Sequence, residues 1–129
     1  MKILHVVHTD IGGGASRAVI RLHQSLLMLK IDSYVLVQNK KSDNYRILNV
    51  NSLVNKLLYL FRFYLSKLIL KSFFKTDNQS LHSLQLFSSS LVRYINNSDF
   101  DIIHLHWFQH EMLSISDIGK LNKIGRAHV

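Results

Sequence analysis

Three consecutive glycines, Gly12, Gly13 and Gly14, separate a short apolar run from a helix-like segment near the start of the chain. Residues 2–7 have the composition of a buried parallel strand. Residues 15–30 predict an amphipathic helix, because apolar side chains recur there at spacings of three and four: Ala18, Val19, Leu22, Leu26 and Leu29. Residues 33–38 are rich in β-favouring side chains and predict a second strand. This order predicts a βαβ unit with a right-handed crossover.

The rest of the chain continues to alternate between strand and helix patterns. Residues 45–50 predict a short third strand, 53–75 a long helix and 88–97 a further helix. Residues 101–106 predict another strand, and 115–122 begin a helix that Ser114 or Ser116 caps. Strands that alternate with helices predict an α/β domain whose parallel sheet is covered on both faces, a three-layer arrangement.

Length and composition limit the domain organisation. The chain has 129 residues, enough for one domain with its own core, and no cysteine, which excludes disulfides and thiolate metal sites. No apolar run is long enough to predict a membrane-spanning helix. The last six residues, 124–129, resemble a translated sequencing adapter, so we expect a domain at 1–123 followed by a non-native tail. The natural protein is then expected to continue beyond Lys123.

The formal net charge is +8, and much of the excess lies in one segment. Residues 53–75 contain five basic residues and no acidic one: Lys56, Arg62, Lys67, Lys71 and Lys75. One interpretation is a core helix with a solvated lysine face. The other is a helix whose Lys67, Lys71 and Lys75 contact an anionic membrane. No nucleic-acid-binding motif accompanies the charge, so no nucleic acid is expected as a partner.

The glycine turn is the strongest local indication of a ligand. Glycines allow close approach to the backbone, and the helix behind them directs free N–H groups toward the same space, which suits a phosphate or a sugar hydroxyl. The alternative is a tight turn without a ligand. A nicotinamide or flavin cofactor is not expected, because Arg17 stands where the dinucleotide motif has its third glycine. The second strand also ends without the acidic residue that would hold the ribose.

Histidines cluster around the last predicted strand. His104 and His106 alternate with Leu105 and therefore share one face of that strand, and His110 completes an H-x-H-x3-H pattern. Ligands of open α/β sheets bind beyond the carboxyl ends of the strands. We therefore interpret His106, Trp107 and, beside the glycine turn, His8 as residues that line a cleft. Core histidines and zinc ligands are the alternatives, and no metal is expected.

Four segments taken together resemble glycosyltransferase family 4, nearest its colanic-acid and capsular-polysaccharide branch. They are residues 1–8 (MKILHVVH), 10–18 (DIGGGASRA), 36–40 (LVQNK) and 101–107 (DIIHLHW). Residues 113–118 (LSISDI) match the same branch, whereas 45–95 match only in pattern. The resemblance covers nearly all of residues 1–123.

The resemblance implies that the chain is the N-terminal, acceptor-side half of a two-domain GT-B fold. It implies a retaining, metal-independent enzyme that transfers a sugar from a nucleotide sugar to a lipid-linked surface polysaccharide. Gly12, Gly13, Gly14 and Ser16 match the loop beside the donor diphosphate. The catalytic residues are expected beyond residue 123, and no cofactor is expected. The expected location is the cytoplasm, peripherally on the inner face of the cell membrane.

Two alternatives come from different functional classes. One is a non-catalytic Rossmann module that binds a nucleotide or phosphate through the glycine turn. The other is a peripheral membrane-binding domain whose charge serves anionic lipid alone.

Overall fold

The computed structural model describes residues 1–50, 53–73, 88–108, 112–122 and 124–127. Five strands form one sheet: β1 (Lys2–Thr9), β2 (Asp32–Asn39), β3 (Ile47–Asn49), β4 (Ile102–Leu105) and β5 (Ile124–Ala127). Their spatial order is β3-β2-β1-β4-β5, and every neighbouring pair is parallel. The prediction of an α/β chain with a parallel sheet is confirmed. The order is also that of the first five strands of a doubly wound sheet, in which the connections reverse direction beside β1.

Four helices accompany the sheet: α1 (Gly13–Met28), α2 (Leu53–Phe73), α3 (Leu91–Asn96) and α4 (Ile115–Ile118). Helices α1 and α3 pack on opposite faces of the sheet. On one face, Val19 of α1 joins a buried cluster with Val7, Val35 and Val37. The second face carries a larger cluster that includes side chains from β1, β2, β4 and α3: Leu4, Val6, Leu36, Leu91, Ile95, Ile103 and Leu105. Alternate residues of β1 and β2 therefore enter opposite layers, as buried parallel strands require.

Helix α1 buries a different stripe from the one that its apolar spacing predicts. Ser16, Val19 and His23 are buried, whereas Leu29 is 71% exposed. Leu22 lies at the solvent boundary. The prediction is confirmed at Val19 and was wrong at Leu22 and Leu29. Two polar residues with partners inside the fold occupy inward positions, and a periodicity count of apolar residues passes over them.

Helix α2 also departs from its predicted orientation. The apolar spacing predicts that one face of this helix packs on the core, with Val54, Leu57, Leu58, Phe61, Leu65 and Leu68. Phe61 is instead 64% exposed and Leu68 is 68% exposed. Ser66 is buried instead, and Tyr59 and Phe63 are half-buried. Almost every position of this helix carries a large apolar or basic side chain, so the sequence has no clear polar face to mark the outside. In the part of the chain that the structure describes, no helix is long and apolar enough to cross a membrane.

A capping box starts α4 and identifies Ser114, not Ser116, as its N-cap. The Ser114 hydroxyl accepts from the Asp117 backbone N–H at 3.0 Å, and the Asp117 carboxylate accepts from the Ser114 N–H at 3.1 Å. The same buried carboxylate accepts from Ser88 Oγ at 2.7 Å and from the Ser89 N–H at 2.8 Å. Asp117 therefore attaches the segment before α3 to the start of α4.

Strand β5 lies within residues 124–129, for which the sequence predicts a non-native origin. It pairs in parallel with β4, with a register shift between Ile103 and His104. Strand pairing does not show where these residues come from, so the adapter origin of residues 124–129 stays a prediction.

Candidate functional site

The carboxyl edge of the sheet brings together three of the predicted cleft residues. Strands β1 and β4 are neighbours, and the chain beyond β4 remains hydrogen-bonded to β1. The His106 N–H donates to the Val6 carbonyl at 2.9 Å, and the His8 N–H donates to the Trp107 carbonyl at 3.1 Å. Trp107 is 38% exposed. His8, His106 and Trp107 thus lie at one edge, where parallel sheets bind their ligands.

The glycine turn begins directly beyond β1 at the same edge. Gly12 has φ 97° and ψ 155°, and Gly13 has φ 67°, both in regions that residues with a side chain rarely adopt. A Cβ atom added at Gly12, Gly13 or Gly14 would meet no atom within 4 Å. The glycines are therefore needed for backbone conformation, and the space above them is open.

The start of α1 is electrostatically suited to an anion. Gly13 is the first residue of α1, and the first turn contains no acidic side chain. The unpaired N–H groups and the positive end of the helix dipole there are consequently not neutralised by a carboxylate. Arg17 lies exposed one turn into the helix.

Ser16 does not present its hydroxyl to the open side of the turn. Its side chain is buried, and Oγ donates to the Thr9 carbonyl at 2.7 Å. This bond ties the first turn of α1 to the end of β1. The open surface of the turn therefore consists of the backbone of Gly12, Gly13 and Gly14.

Asp10 supports the turn from the other side, a role that the sequence analysis missed. Its carboxylate accepts from the backbone N–H groups of Lys41 at 2.9 Å and Ser42 at 2.8 Å. Burial alone would raise the pKa of Asp10, but the hydrogen bonds from Ser42 and Lys41 outweigh it and lower that pKa. The sequence feature that could have indicated this role is an acidic residue directly after a buried strand. If such a carboxylate is buried, it needs hydrogen-bond donors from a neighbouring loop.

A cluster of three histidine rings, His5, His104 and His106, spans β1 and the end of β4. The Nδ1 atom of His5 lies 3.1 Å from Nε2 of His106, and the rings of His104 and His106 are 4.0 Å apart between centroids. Burial, and then the neighbouring His106 and His104 rings, lower the pKa of His5 from 6.5 to about 3. His5 is therefore a neutral imidazole at physiological pH.

Helix α2 reaches the carboxyl edge through residues that the sequence analysis did not single out. The Tyr59 ring lies 6.3 Å from the His8 ring between centroids. Tyr59 and Arg62 line a small pocket together with Gln38 at the end of β2. The sequence did not indicate a role for Tyr59 and Arg62 at this edge, because the apolar stripe predicted for the helix lies on the side away from the sheet.

The remaining predicted residues lie elsewhere. Lys67 and Lys71 are exposed on α2, and Lys67 Nζ lies 4.8 Å from the centre of the Phe63 ring. Lys75 and His110 fall outside the described residues. An open cavity of about 710 Å³ is lined by residues that include Lys2, Tyr34 and Arg93, and its lining contains no residue of the glycine turn.

Comparison with protein-family models, with curated proteins and with solved structures gives no match for this chain. The function of this chain is therefore inferred from the side chains at the carboxyl edge of the sheet and from the sequence resemblance.

Proposed function

We propose that this chain is the Rossmann-like, acceptor-side half of a retaining GT-B glycosyltransferase. The whole enzyme transfers a sugar from a nucleotide sugar to a lipid-linked surface polysaccharide. The observation that carries the proposal is the glycine turn, which opens at the carboxyl edge beside the exit of β4. The four sequence segments that resemble family 4 include both of these features.

The chemistry of sugar transfer explains why such a turn is useful. When the glycosidic bond to the donor breaks, negative charge develops on the leaving nucleoside diphosphate. Backbone N–H groups fixed at the start of α1 stabilise that charge without having to reorganise. With no acid in the first turn of α1 and no side chain above Gly12, Gly13 and Gly14, a diphosphate meets no carboxylate of that helix and no steric barrier.

The other side of the cleft belongs to a second domain in this proposal. The groups that bind the nucleotide and act on the anomeric carbon are expected beyond residue 123. His8, His106 and Trp107 then line the near wall, with Tyr59 of α2 next to His8. Neither a metal nor a cofactor is part of the proposed transfer reaction. The enzyme is proposed to work in the cytoplasm, at the inner face of the cell membrane.

Gly14 offers a sharp test of the proposal, because its φ is not positive and a Cβ there meets open space. In protein expressed from a gene that extends beyond codon 123, Gly14→Val should lower kcat/KM for sugar transfer by at least about tenfold, or 1.4 kcal/mol. Gly119→Ala is the matched control, since a Cβ at Gly119 makes only an ordinary 3.6 Å contact. Circular dichroism verifies that both variants are folded.

The outcomes separate the proposal from its main alternative. The glycosyltransferase is supported if the full-length protein transfers sugar with retention and if kcat/KM is lowered in Gly14→Val but not in Gly119→Ala. Transfer that Gly14→Val leaves unchanged overturns the role of the turn. Saturable binding of UDP or pyrophosphate without transfer from any nucleotide sugar identifies a non-catalytic phosphate-binding module instead.

A second candidate function, contact with an anionic bilayer, is favoured by the exposed face of α2. Leu57, Phe61, Tyr64 and Leu68 recur at spacings of four, three and four, and each is more than half exposed. Exposed Lys56, Lys67 and Lys71 border this stripe. Apolar side chains flanked by lysines match an interface of acyl chains and acidic headgroups. The same contact would keep the enzyme beside a lipid-linked acceptor.

A further inference from the structure

The histidine cluster follows from the pairing of β1 with β4. His5 is the register partner of His104. His104 and His106 are two residues apart, so their side chains leave the same face of the sheet. Directly opposed side chains of neighbouring strands have Cβ atoms about 5 Å apart. An H-x-H pair and a histidine from the adjacent strand therefore place three imidazoles around one point.

The distances suit a metal ion with nitrogen ligands. One nitrogen from each ring can be chosen so that all three lie within 4.8 Å of one another. Zn–N bonds of about 2.1 Å put the ligand nitrogens of a tetrahedral site about 3.4 Å apart. The 3.1 Å between His5 Nδ1 and His106 Nε2 is already close to that spacing. The other nitrogens, within 4.8 Å of one another, would have to approach by rotation of the His104 and His106 rings.

Burying the His5 ring costs free energy that an apolar side chain would not. His5 is fully buried, and among the described residues its Nε2 atom has no hydrogen-bond partner. That atom is not the nitrogen that lies beside His106, so it shows the cost of burying this ring and not the position of the ion. A plain core position would be filled at lower cost by an aliphatic side chain, as at the neighbouring Leu4 and Val6.

We propose that His5, His104 and His106 bind one Zn²⁺ ion through three neutral imidazole nitrogens. Because the ligands carry no charge, the bound ion keeps its full positive charge. His104 and His106 are only half-buried, so the fourth coordination position is open to water or a small anion from solvent. The sequence alone indicated a different trio, with His110 in place of His5, because the cross-strand partner lies about a hundred positions away along the chain.

The proposed metal site shares His106 with the proposed cleft wall but includes no residue of the glycine turn, to which the donor diphosphate is assigned. Imidazole ligands also suit Cu²⁺ and Ni²⁺, and Cu²⁺ binds most N-donor sites more tightly than Zn²⁺. Zn²⁺ is therefore tested directly, and Co²⁺ serves as its spectroscopic substitute.

The test is a titration of chelator-treated protein of the full 129 residues. Zn²⁺ followed by calorimetry is expected to bind with a stoichiometry of one per chain. Co²⁺ is expected to give the intense visible absorption of a tetrahedral complex. His104→Gln and His106→Gln should each weaken binding by at least about a hundredfold, more than the 10–100-fold cost of losing an outer-shell contact.

His8→Gln is the matched control, because His8 lies at the same sheet edge and outside the cluster. It should bind Zn²⁺ like the parent. Failure of the parent to bind one Zn²⁺ overturns the proposal whatever the variants do. Binding that His104→Gln and His106→Gln leave unchanged while both remain folded overturns it as well, and assigns the metal to other histidines.

Discussion

The Nδ1 atom of His23 in α1 lies 2.8 Å from the Oγ atom of Ser33 in β2, and both side chains are buried. This bond joins the first helix to the second strand, inside the layer where Val19 packs on Val35 and Val37. A polar pair in such a place fixes the helix in one rotational setting. It also gives the fold a group that must remain neutral.

The neutrality of His23 predicts a loss of stability in acid. Burial, and then the positive charge of Arg46, lower the pKa of His23 from 6.5 in the folded chain. The unfolded chain therefore binds more protons than the folded chain below about pH 6.5. Its contribution to stability is fully present above pH 6.5 and is lost as the pH falls toward the lowered folded-state pKa.

Urea unfolding at several pH values measures this effect. Below pH 6.5 the free energy of unfolding should fall by up to about 1.4 kcal/mol per pH unit through His23 alone. His23→Gln should have a shallower acid slope than the parent. Ser33→Ala keeps the histidine and should retain the slope, and identical slopes for His23→Gln and the parent would contradict the prediction.

The three glycines of the turn should respond to alanine in different ways. Gly12 lies in a region that is essentially restricted to glycine, so Gly12→Ala should destabilise by about 2 kcal/mol. Gly13 is left-handed helical, and Gly13→Ala should cost about 1 kcal/mol. Gly14 has ordinary helical geometry, so Gly14→Ala should stabilise by about 0.5–1 kcal/mol.

Chemical denaturation of the three variants measures the order. No steric clash contributes, because a Cβ at each glycine meets open space. The sign at Gly14 is the critical result. If all three alanines destabilise equally, the cost does not arise from backbone conformation.

The sequence could predict strands β1 to β4 and the existence of α1 and α2, because these elements follow from local patterns that the structure preserves. Strand β5 was not predicted. Strand β2 differs from its prediction by one residue at each end, and α2 begins at the predicted Leu53. Local patterns could not predict which side of α2 faces the sheet. The observed orientation places Tyr59 and Arg62 at a small pocket that Gln38 also lines, and these segments are distant in sequence.

The candidate site divides in the same way. The glycine turn could be predicted, since a positive φ is a local demand that only glycine meets without strain. The supporting contacts of Asp10 and Ser16, and the position of His5 beside His104, could not. Each of these depends on strand order, which places β1 between β2 and β4 and which no short pattern encodes.

Asp117 should be among the most sensitive positions on the face covered by α3 and α4. Its buried carboxylate accepts from three donors, on Ser88, Ser89 and Ser114. Asp117→Ala leaves these donors without their acceptor and should destabilise the chain by about 3 kcal/mol. Asp43→Ala removes an exposed carboxylate and should change stability by less than about 0.5 kcal/mol. Urea unfolding of both variants measures the difference, and equal effects would show that Asp117 does not fix α4.

The chain alone should transfer no sugar. Stabilisation of the leaving diphosphate needs groups on both sides of a cleft, and the near side offers mainly the backbone of the glycine turn. The measurement is a transfer assay of purified residues 1–123 with a panel of labelled nucleotide sugars. Turnover with any of them would refute the division of labour between two domains.

Charge on α2 should bring the protein to anionic membranes. Each lysine near an acidic leaflet contributes about 1 kcal/mol, so Lys67 and Lys71 of α2 and Lys75, which follows α2 in the sequence, together contribute about 3 kcal/mol. The attraction is screened within about 8–10 Å at physiological ionic strength, so binding should weaken as salt is added. The exposed stripe that includes Phe61 and Leu68 should insert at the interface and leave a part of the binding that salt does not remove.

Vesicle co-sedimentation separates the charged from the apolar contribution. Changing Lys67, Lys71 and Lys75 together to Gln should abolish the preference for anionic over neutral lipid. The matched control changes Lys30, Lys41 and Lys120 to Gln, which removes the same charge from exposed positions outside α2. Phe61→Ser with Leu68→Ser should instead remove the salt-resistant part, because the lysines remain. If both lysine triples sediment alike, net charge and not the face of α2 determines binding, and the membrane contact proposed for this helix is wrong.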